Sequence, residues 1–290
     1  MSISVSPLRT RIAVATILLW PGVLIVVFTL VPMLVLLRIS VAPQDAAAAW
    51  GTGFDASAYR GLTDADSIRA LVQSLETALV VASISLSVGY PLAHCITRMQ
   101  RRSQIVWLLL LLATLTLSDV LIAFAWQVML SKRVGLSKVF VFIGWMDQPD
   151  SLAPSQGAVI ACLVYMVIPF TVLTLYPALS ALDRSLIEAA RTLGASRLRA
   201  FCSVALPLTQ VPSVIAFVLS AVLTFGAFVP PIALGRPERW PLSVLIGNAA
   251  LAGQNLPRAA ALSVLLLVVT ALLAWSAARA LRARSTQTVP

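Results

Sequence analysis

The sequence predicts an all-α integral membrane protein with six transmembrane helices, and three observations carry that expectation. Apolar residues make up 59% of the 290 positions and charged residues only 11%, with a mean hydropathy of +0.94, well above the balance of a soluble domain. Apolar runs long enough to cross a hydrocarbon core about 30 Å thick recur along the chain. Arginines gather in alternate segments between those runs.

The first run covers residues 12–37. Arg9 and Arg11 precede it, it exceeds the apolar region of a signal peptide and no small-residue cleavage site closes it, so it is expected to remain as an anchor. The second, 71–96, holds Glu76 and has the sole histidine, His94, near its end. The third, 105–130, contains Asp119, and the next two are 157–179 and 211–229. The sixth is 259–278. Prolines interrupt most runs, at Pro21, Pro32, Pro91, Pro169 and Pro177, and Pro230 and Pro231 close the fifth. Each removes a backbone donor and bends its helix, which suits helices packed around a path and equally a kinked structural bundle. The tryptophans Trp20, Trp50, Trp107, Trp126, Trp145, Trp240 and Trp275 fall mostly near run ends, where amphipathic rings favour the interface.

With the N-terminus inside, the inner segments collect Arg9, Arg11, Arg98, Arg101, Arg102, Arg184, Arg191, Arg197, Arg199, Arg279, Arg282 and Arg284, twelve of the 21 basic residues. The outer segments hold both lysines, Lys132 and Lys138, and most acids: Asp45, Asp55, Asp64, Asp66, Asp147, Asp150 and Glu238. Both termini are therefore expected in the cytoplasm. The parts are a cytoplasmic N-terminus (1–11), a six-span domain (12–278) with a cytoplasmic loop at 180–207, and a cytoplasmic tail (279–290). A formal charge of +10 then reads as inner-loop charge on anionic lipid, with no nucleic acid as partner.

Several chemistries have no residues to support them. No Gly-x4-Gly-Lys-Ser/Thr loop exists to cradle nucleotide phosphates. Cys95, Cys162 and Cys202 are scattered, and no His, Cys, Asp and Glu cluster has metal or hydrolytic spacing. The chain is expected to be no enzyme, to hold no metal and to bind no cofactor itself.

The loop at 180–207 reads as two short amphipathic helices around a glycine. Ser185 and Glu188 have capping-box spacing, with Asp183 as a competing cap. Leu186, Ala189, Ala190 and Leu193 follow at i, i+3, i+4 and i+7, while Arg184, Glu188 and Arg191 line another face. Gly194 permits a left-handed exit and Ser196 can cap the next turn. Leu198, Phe201, Cys202 and Ala205 then repeat the apolar spacing. Periodicity alone leaves open whether this pair docks on a protein or lies on the membrane surface.

Glu188-Ala189-Ala190, three residues, Gly194, nine residues, Val204, one residue and Leu206-Pro207 resemble the EAA motif of the membrane-spanning subunits of bacterial ABC importers. Val204 stands where that family commonly has isoleucine. Tyr59, Gly89-Tyr90-Pro91-Leu92-Ala93, Ala125-Trp126, Gly135-Leu136, Pro169-Phe170, Gly226-Ala227-Phe228-Val229-Pro230-Pro231, Leu234-Gly235 and Asn255-Leu256-Pro257 are similar in order and spacing to permeases of the spermidine/putrescine type. Two positions depart from that pattern: Ile122 replaces a common arginine, and Gly235-Arg236 replaces a double glycine.

The resemblance implies a type I permease fold and half of a translocation path for a small organic solute, a polyamine or similar. Its implied partners are a cytoplasmic ATPase dimer carrying ATP and Mg, a second homologous permease, a periplasmic or lipid-anchored solute-binding protein and membrane lipid. Glu188, Ala189, Ala190, Gly194, Leu206 and Pro207 would couple the chain to the ATPase. Glu76 and Asp119, the only acids within the expected spans, are candidates for the path, with Trp126 and Phe228 as aromatic candidates. Ser74, Thr116 and Ser118 are local partners that would instead make the acids structural. An ion-driven transporter, a lipid enzyme or a structural membrane subunit are the competing classes.

Overall fold

The computed structural model describes the backbone of residues 7–45, 50–132, 136–144, 148 and 150–285. Gly135, Trp145 and Asp147 lie outside the described residues, as do the side chains of Arg9, Arg11, Arg184, Arg197, Leu198, Cys202, Arg282 and Arg284.

The described secondary structure is helical. It comprises α1 (Pro7–Ser40), α2 (Ala65–Arg98), α3 (Arg101–Leu115), α4 (Asp119–Met129), α5 (Leu136–Phe142), α6 (Gln156–Ser180), α7 (Arg184–Thr192), α8 (Arg197–Ala200), α9 (Gln210–Phe225), α10 (Val229–Leu234), α11 (Leu242–Leu251) and α12 (Leu256–Ser285). All six apolar runs are helical, in three different ways. Leu19–Ser40 of α1, α2, α6 and Leu256–Arg279 of α12 are each long and apolar enough to cross a membrane. The third run is two helices, α3 and α4, bent by 97°. The bend follows from the sequence Thr116-Leu117-Ser118-Asp119: the α3 carbonyls are closed by turn bonds from Thr116 and Leu117, and Ser118 is extended before α4. Counted as one, that pair makes a fifth candidate span. The fifth run forms α9, 16 residues that stop at Gly226 before the chain turns into the proline-led α10.

The core lies where α2, α6 and α9 pack on one another. Small residues set the spacing. Gly89 of α2 lies against Thr171 of α6, where an added Cβ would come within 2.8 Å of Thr171 Cγ2. Buried hydroxyls then tie the three together: the Tyr90 hydroxyl bonds Thr209 Oγ1 just before α9, and Thr171 Oγ1 lies 3.0 Å from Ser220 Oγ of α9. Apolar association is weak in lipid, so such close contacts and hydroxyl pairs carry much of the specificity.

Helix α1 packs on α12 and leaves Trp20, Phe28 and Leu34 exposed. One end of the bundle is closed by polar contacts. Asn255 caps α12 through the Arg258 amide at 3.0 Å and donates to Gln44 Oε1 at 2.8 Å, Arg258 pairs with Asp64 at 3.6 Å, and Ser40 bonds Tyr59 at 2.8 Å. The loop at 180–207 lies at the other end, beside the close of α2 and the start of α3.

Candidate functional site

A cavity of about 340 Å³ opens beside the α3/α4 bend, the α9/α10 break and the proline-bearing middle of α6. Thr114, Leu115 and Leu117 at the α3/α4 bend form one wall, Tyr165, Pro169 and Phe170 of α6 another, and Gly226 through Pro230, between α9 and α10, the third. Each break has a local cause, the Ser118 exit in one and a glycine followed by paired prolines in the other, while Pro169 removes one backbone donor from the continuous α6. Irregular backbone inside a membrane bundle is tolerated where it lines a cavity.

Asp119 is the first residue of α4 and, among the described residues, the single charged one lining this cavity. The partners that would make it structural are occupied elsewhere or unused. The Thr116 hydroxyl donates to the Ala113 carbonyl at 2.8 Å, and the Ser118 side chain makes no cap. Asp119 forms no hydrogen bond or ion pair with a described residue, and the positive end of α4 favours its charge. Phe228 also lines the cavity, with its ring against Gly247 of α11, where a Cβ would lie 2.5 Å from Phe228 Cε2.

Trp126 lies one layer away. Its ring packs into the apolar cluster of Ile122, Val159 and Leu163, with its centroid 6.1 Å from that of the cavity residue Tyr165. Glu76 does not line this cavity. It is exposed on α2, in line with Val80, Ser83 and Ser87, and Ser74 is engaged with the Ala70 carbonyl and the Leu242 amide. The structure thus brings Asp119 and Phe228 together and leaves Glu76 on a separate polar stripe. Tyr165 and Gly247 were not singled out from sequence, because neither carries a motif and their roles arise from residues far away in the chain.

In the loop at 180–207, Asp183 caps α7 by accepting from the Ser185 amide at 2.9 Å. Ser185 therefore sits inside the helix, and the capping-box reading gives way to the competing cap. The bonds from the Ser185 backbone and side chain hold the Asp183 carboxyl below its usual range. At the other end Gly194 has φ +88°, with the Ala195 amide bonded to the Ala190 carbonyl at 3.1 Å and the Gly194 amide to that of Arg191 at 3.0 Å. This pair of bonds is a Schellman ending, which requires the left-handed residue. Ser196 then caps the next turn through the Arg199 amide at 3.2 Å.

The second half is helical with one π-helical turn, Phe201–Ala205, in which the Leu206 amide reaches back to the Phe201 carbonyl. Pro207 has no donor to offer the Ser203 carbonyl, and the widened turn accommodates that loss. Phe201 packs edge-on against Tyr90 and His94 at 5.2 and 5.4 Å between centroids, which anchors this half to α2. The first half is different. Leu193 is 89% exposed, Leu186 46%, and Glu188 and Ala189 are exposed. The residues of α7 turned toward the bundle are instead Ile187 and Arg191, one turn apart. The apolar face predicted from periodicity is present and unpartnered within this chain, and Leu206 and Pro207 are exposed near it.

A helical bundle with broken helices around a cavity, and a structured loop presenting an uncovered face at one end, describe a transport subunit. The chain belongs to the family of binding-protein-dependent transport system inner membrane components, whose model matches residues 85–285, and is the permease subunit of an ABC importer. Within that family it is 31% identical over 265 residues to the spermidine/putrescine transport system permease protein PotB of Escherichia coli, covering 89% of this chain and 94% of the relative. It is 29% identical over 264 residues to PotB of Haemophilus influenzae, covering 91% of each. The fold matches a chain of a bacterial alginate ABC transporter crystallised with an alginate pentasaccharide-bound periplasmic protein, with a TM-score of 0.73 and 17% identity over 92% of this chain and 93% of that one.

The two departures from the permease pattern fall in different places. Ile122 lines the cavity, three residues along α4 from Asp119. Arg236 lies outside it, with Nε donating to the Pro154 carbonyl at 3.0 Å.

Proposed function

We propose that this chain forms half of the path of an ATP-driven importer for a small organic cation of polyamine type. The observation that carries the reading is the position of Asp119: an unpaired carboxylate in a cavity walled by Tyr165, Phe170 and Phe228. A protonated amine satisfies the carboxylate directly, and aromatic faces add attraction to the same charge. Among the described residues of this lining an oxyanion meets no cation. The similarity to PotB supports the same solute class. Glu76, Ser83 and Ser87 are the polar exposed stripe of α2, and they would face the second permease across the path.

Coupling would run through α7. Its exposed surface, apolar along Leu186, Ala189 and Leu193 with Glu188 on the adjoining polar face, fits a groove on a cytoplasmic ATPase: small alanines permit close approach, and Glu188 pairs with a basic groove residue. Gly194 and Leu206-Pro207 fix the angle at which this lever meets the bundle, so ATP-driven closure of the ATPase dimer moves the helices around the cavity. ATP and Mg are bound by that partner, this chain binding no cofactor. A solute-binding protein would deliver cargo at the opposite end, with both termini cytoplasmic and residues 12–278 as the permease domain.

The test is transport in proteoliposomes holding the whole importer, with solute-loaded binding protein outside. Asp119→Asn keeps the shape and removes the charge. A charge-assisted hydrogen bond contributes about 1.5–3 kcal/mol, so uptake of a di- or polyamine falls about tenfold or more, while Asp119→Glu retains a measurable share. Unchanged uptake in both Asp119→Asn and Glu76→Gln would refute the cation path.

A further inference from the structure

The mechanism above leaves unused a group of arginines at the seam between the loop and the bundle. Two adjoining cavities of about 260 and 310 Å³ lie there, and both are lined by His94, Arg98 and Ile187. Arg191 and Phe201 complete the first, and Arg101 with Gln104 and Tyr176 borders the second. Among the described residues no carboxylate lines either one, and Glu188 shares a further, more open cavity with Arg191. Among the described residues the one ion pair is Arg258 with Asp64, at the far end of the molecule, so the three guanidiniums of Arg98, Arg101 and Arg191 are unpaired.

Their placement is fixed by the turn between α2 and α3. Gln104 donates through Nε2 to the carbonyls of Met99, at 2.9 Å, and Thr97, at 3.3 Å, and its Oε1 accepts from the Tyr176 hydroxyl at 3.1 Å. Met99 and Gln100 are extended, so Arg98 closes α2 and Arg101 opens α3 on either side of one short, pinned link. The first turn of α3 has neither an acid nor a side-chain cap, and its positive end adds to the field. Arg191 approaches from α7 with Ile187 beside it. Arg98, Arg101 and Arg191 are exposed at the rims of these two adjoining cavities, where like charges repel one another and favour an anion held among them.

We propose that this cleft binds a phosphate-bearing anion that bridges α7 to the ends of α2 and α3, the headgroup of an acidic phospholipid being its source. Guanidinium groups match phosphate oxygens in bidentate geometry, and basic pockets between helices at the membrane surface suit acidic headgroups. The bound group offsets the repulsion and joins the lever to the bundle. Only this last consequence rests on the coupling reading above; binding itself does not.

The test uses the permease pair and the whole importer in nanodiscs of phosphatidylcholine alone, of phosphatidylcholine with phosphatidylglycerol, or of phosphatidylcholine with millimolar inorganic phosphate. Native mass spectrometry of the permease pair reads binding with no ATPase present. The expected result is one phosphatidylglycerol retained by this chain. That retention falls about tenfold to thirtyfold in Arg98→Gln/Arg101→Gln, from the loss of two charges near the surface, and persists in the charge-matched control Arg102→Gln/Arg279→Gln. Arg102 lines neither cavity, and Arg279 stacks on Trp275 at 3.8 Å. Solute-stimulated ATP hydrolysis by the importer rises with phosphatidylglycerol in the wild type and the control, and not in Arg98→Gln/Arg101→Gln. If inorganic phosphate alone reproduces the effect, the anion site stands and its lipid source is overturned. Equal lipid retention in both double variants overturns the site. Loss of ATPase binding by Arg98→Gln/Arg101→Gln in phosphatidylcholine alone overturns it too, in favour of a carboxylate from the ATPase. Specific lipid retention without any ATPase association would instead refute the coupling reading and leave the site intact.

Discussion

Replacing Gly194 by valine isolates the backbone contribution of the coupling loop. Gly194 has φ +88°, and a Cβ built there meets nothing within 4 Å, so the substitution creates strain without a steric clash against a neighbour. A β-branched residue held in the left-handed region costs about 1–3 kcal/mol, which lowers the population of the native loop about fivefold to 150-fold relative to its alternatives. The strain has little to oppose it locally. Helix α7 has nine residues, too few to be stable alone, and its ending consists of the two bonds made by the Gly194 and Ala195 amides. Asparagine tolerates this conformation, so Gly194→Asn is the matched control. In importer reconstituted with its ATPase and solute-loaded binding protein, Gly194→Val loses most of the solute-stimulated ATP hydrolysis and Gly194→Asn keeps most of it. Normal stimulation in a fully assembled Gly194→Val importer refutes the claim that the left-handed exit sets the lever.

Three further outcomes follow from particular contacts. Gly247→Ala places a Cβ 2.5 Å from the present position of Phe228 Cε2, so the ring must move; uptake by the reconstituted importer is expected to slow while assembly persists, and unchanged uptake argues against Phe228 as a wall of the path. Gly89→Ala overpacks the α2/α6 contact against Thr171 and is expected to cost about 1–3 kcal/mol, read as a lower thermal midpoint of the purified complex. An unchanged midpoint contradicts the close helix approach. Asp183 caps α7 with its carboxyl held below the ordinary value of 3.8, so its contribution is fully present above that value and is lost only as pH falls through the lower folded value. Amide exchange at the start of α7, corrected for its intrinsic pH dependence, therefore keeps the same protection from pH 7 to 5. Asp183→Ala raises exchange at neutral pH and Asp183→Asn much less, and equal exchange in all three forms removes the cap from the account.

The long apolar helices were legible because composition and length suffice to specify them. Residues 12–37, 71–96, 157–179 and 259–278 each fall within a single helix, and within the loop Gly194 and Ser196 have the backbone roles their types suggested. The bend at 116–118 was not legible, because long apolar stretches flank it on both sides and averaged hydropathy is blind to a three-residue turn; the cue was Ser118-Asp119, a helix start between those stretches. The choice between Asp183 and Ser185 as cap was left to geometry, since both satisfy the spacing rule. Motif resemblance marked Pro169-Phe170 and the Gly226 to Pro230 segment without indicating that they meet, and it is their meeting with Asp119 that makes a site. Ile187 and Arg191 show the same limit. Periodicity assigned α7 one apolar face, whereas packing turns Ile187 inward and leaves Leu186 and Leu193 outside.

In the proposed mechanism this permease passes an organic cation by Asp119 under the control of an ATPase docked on α7. The most direct measurement is ATP-driven uptake by the reconstituted importer, comparing a polyamine with an oxyanion of similar size, in wild type, Asp119→Asn and Glu188→Ala. The expected result is uptake of the polyamine alone, a fall of about tenfold or more in Asp119→Asn with ATPase binding intact, and loss of ATPase binding or stimulation in Glu188→Ala. Oxyanion uptake, or polyamine uptake indifferent to both substitutions, contradicts it.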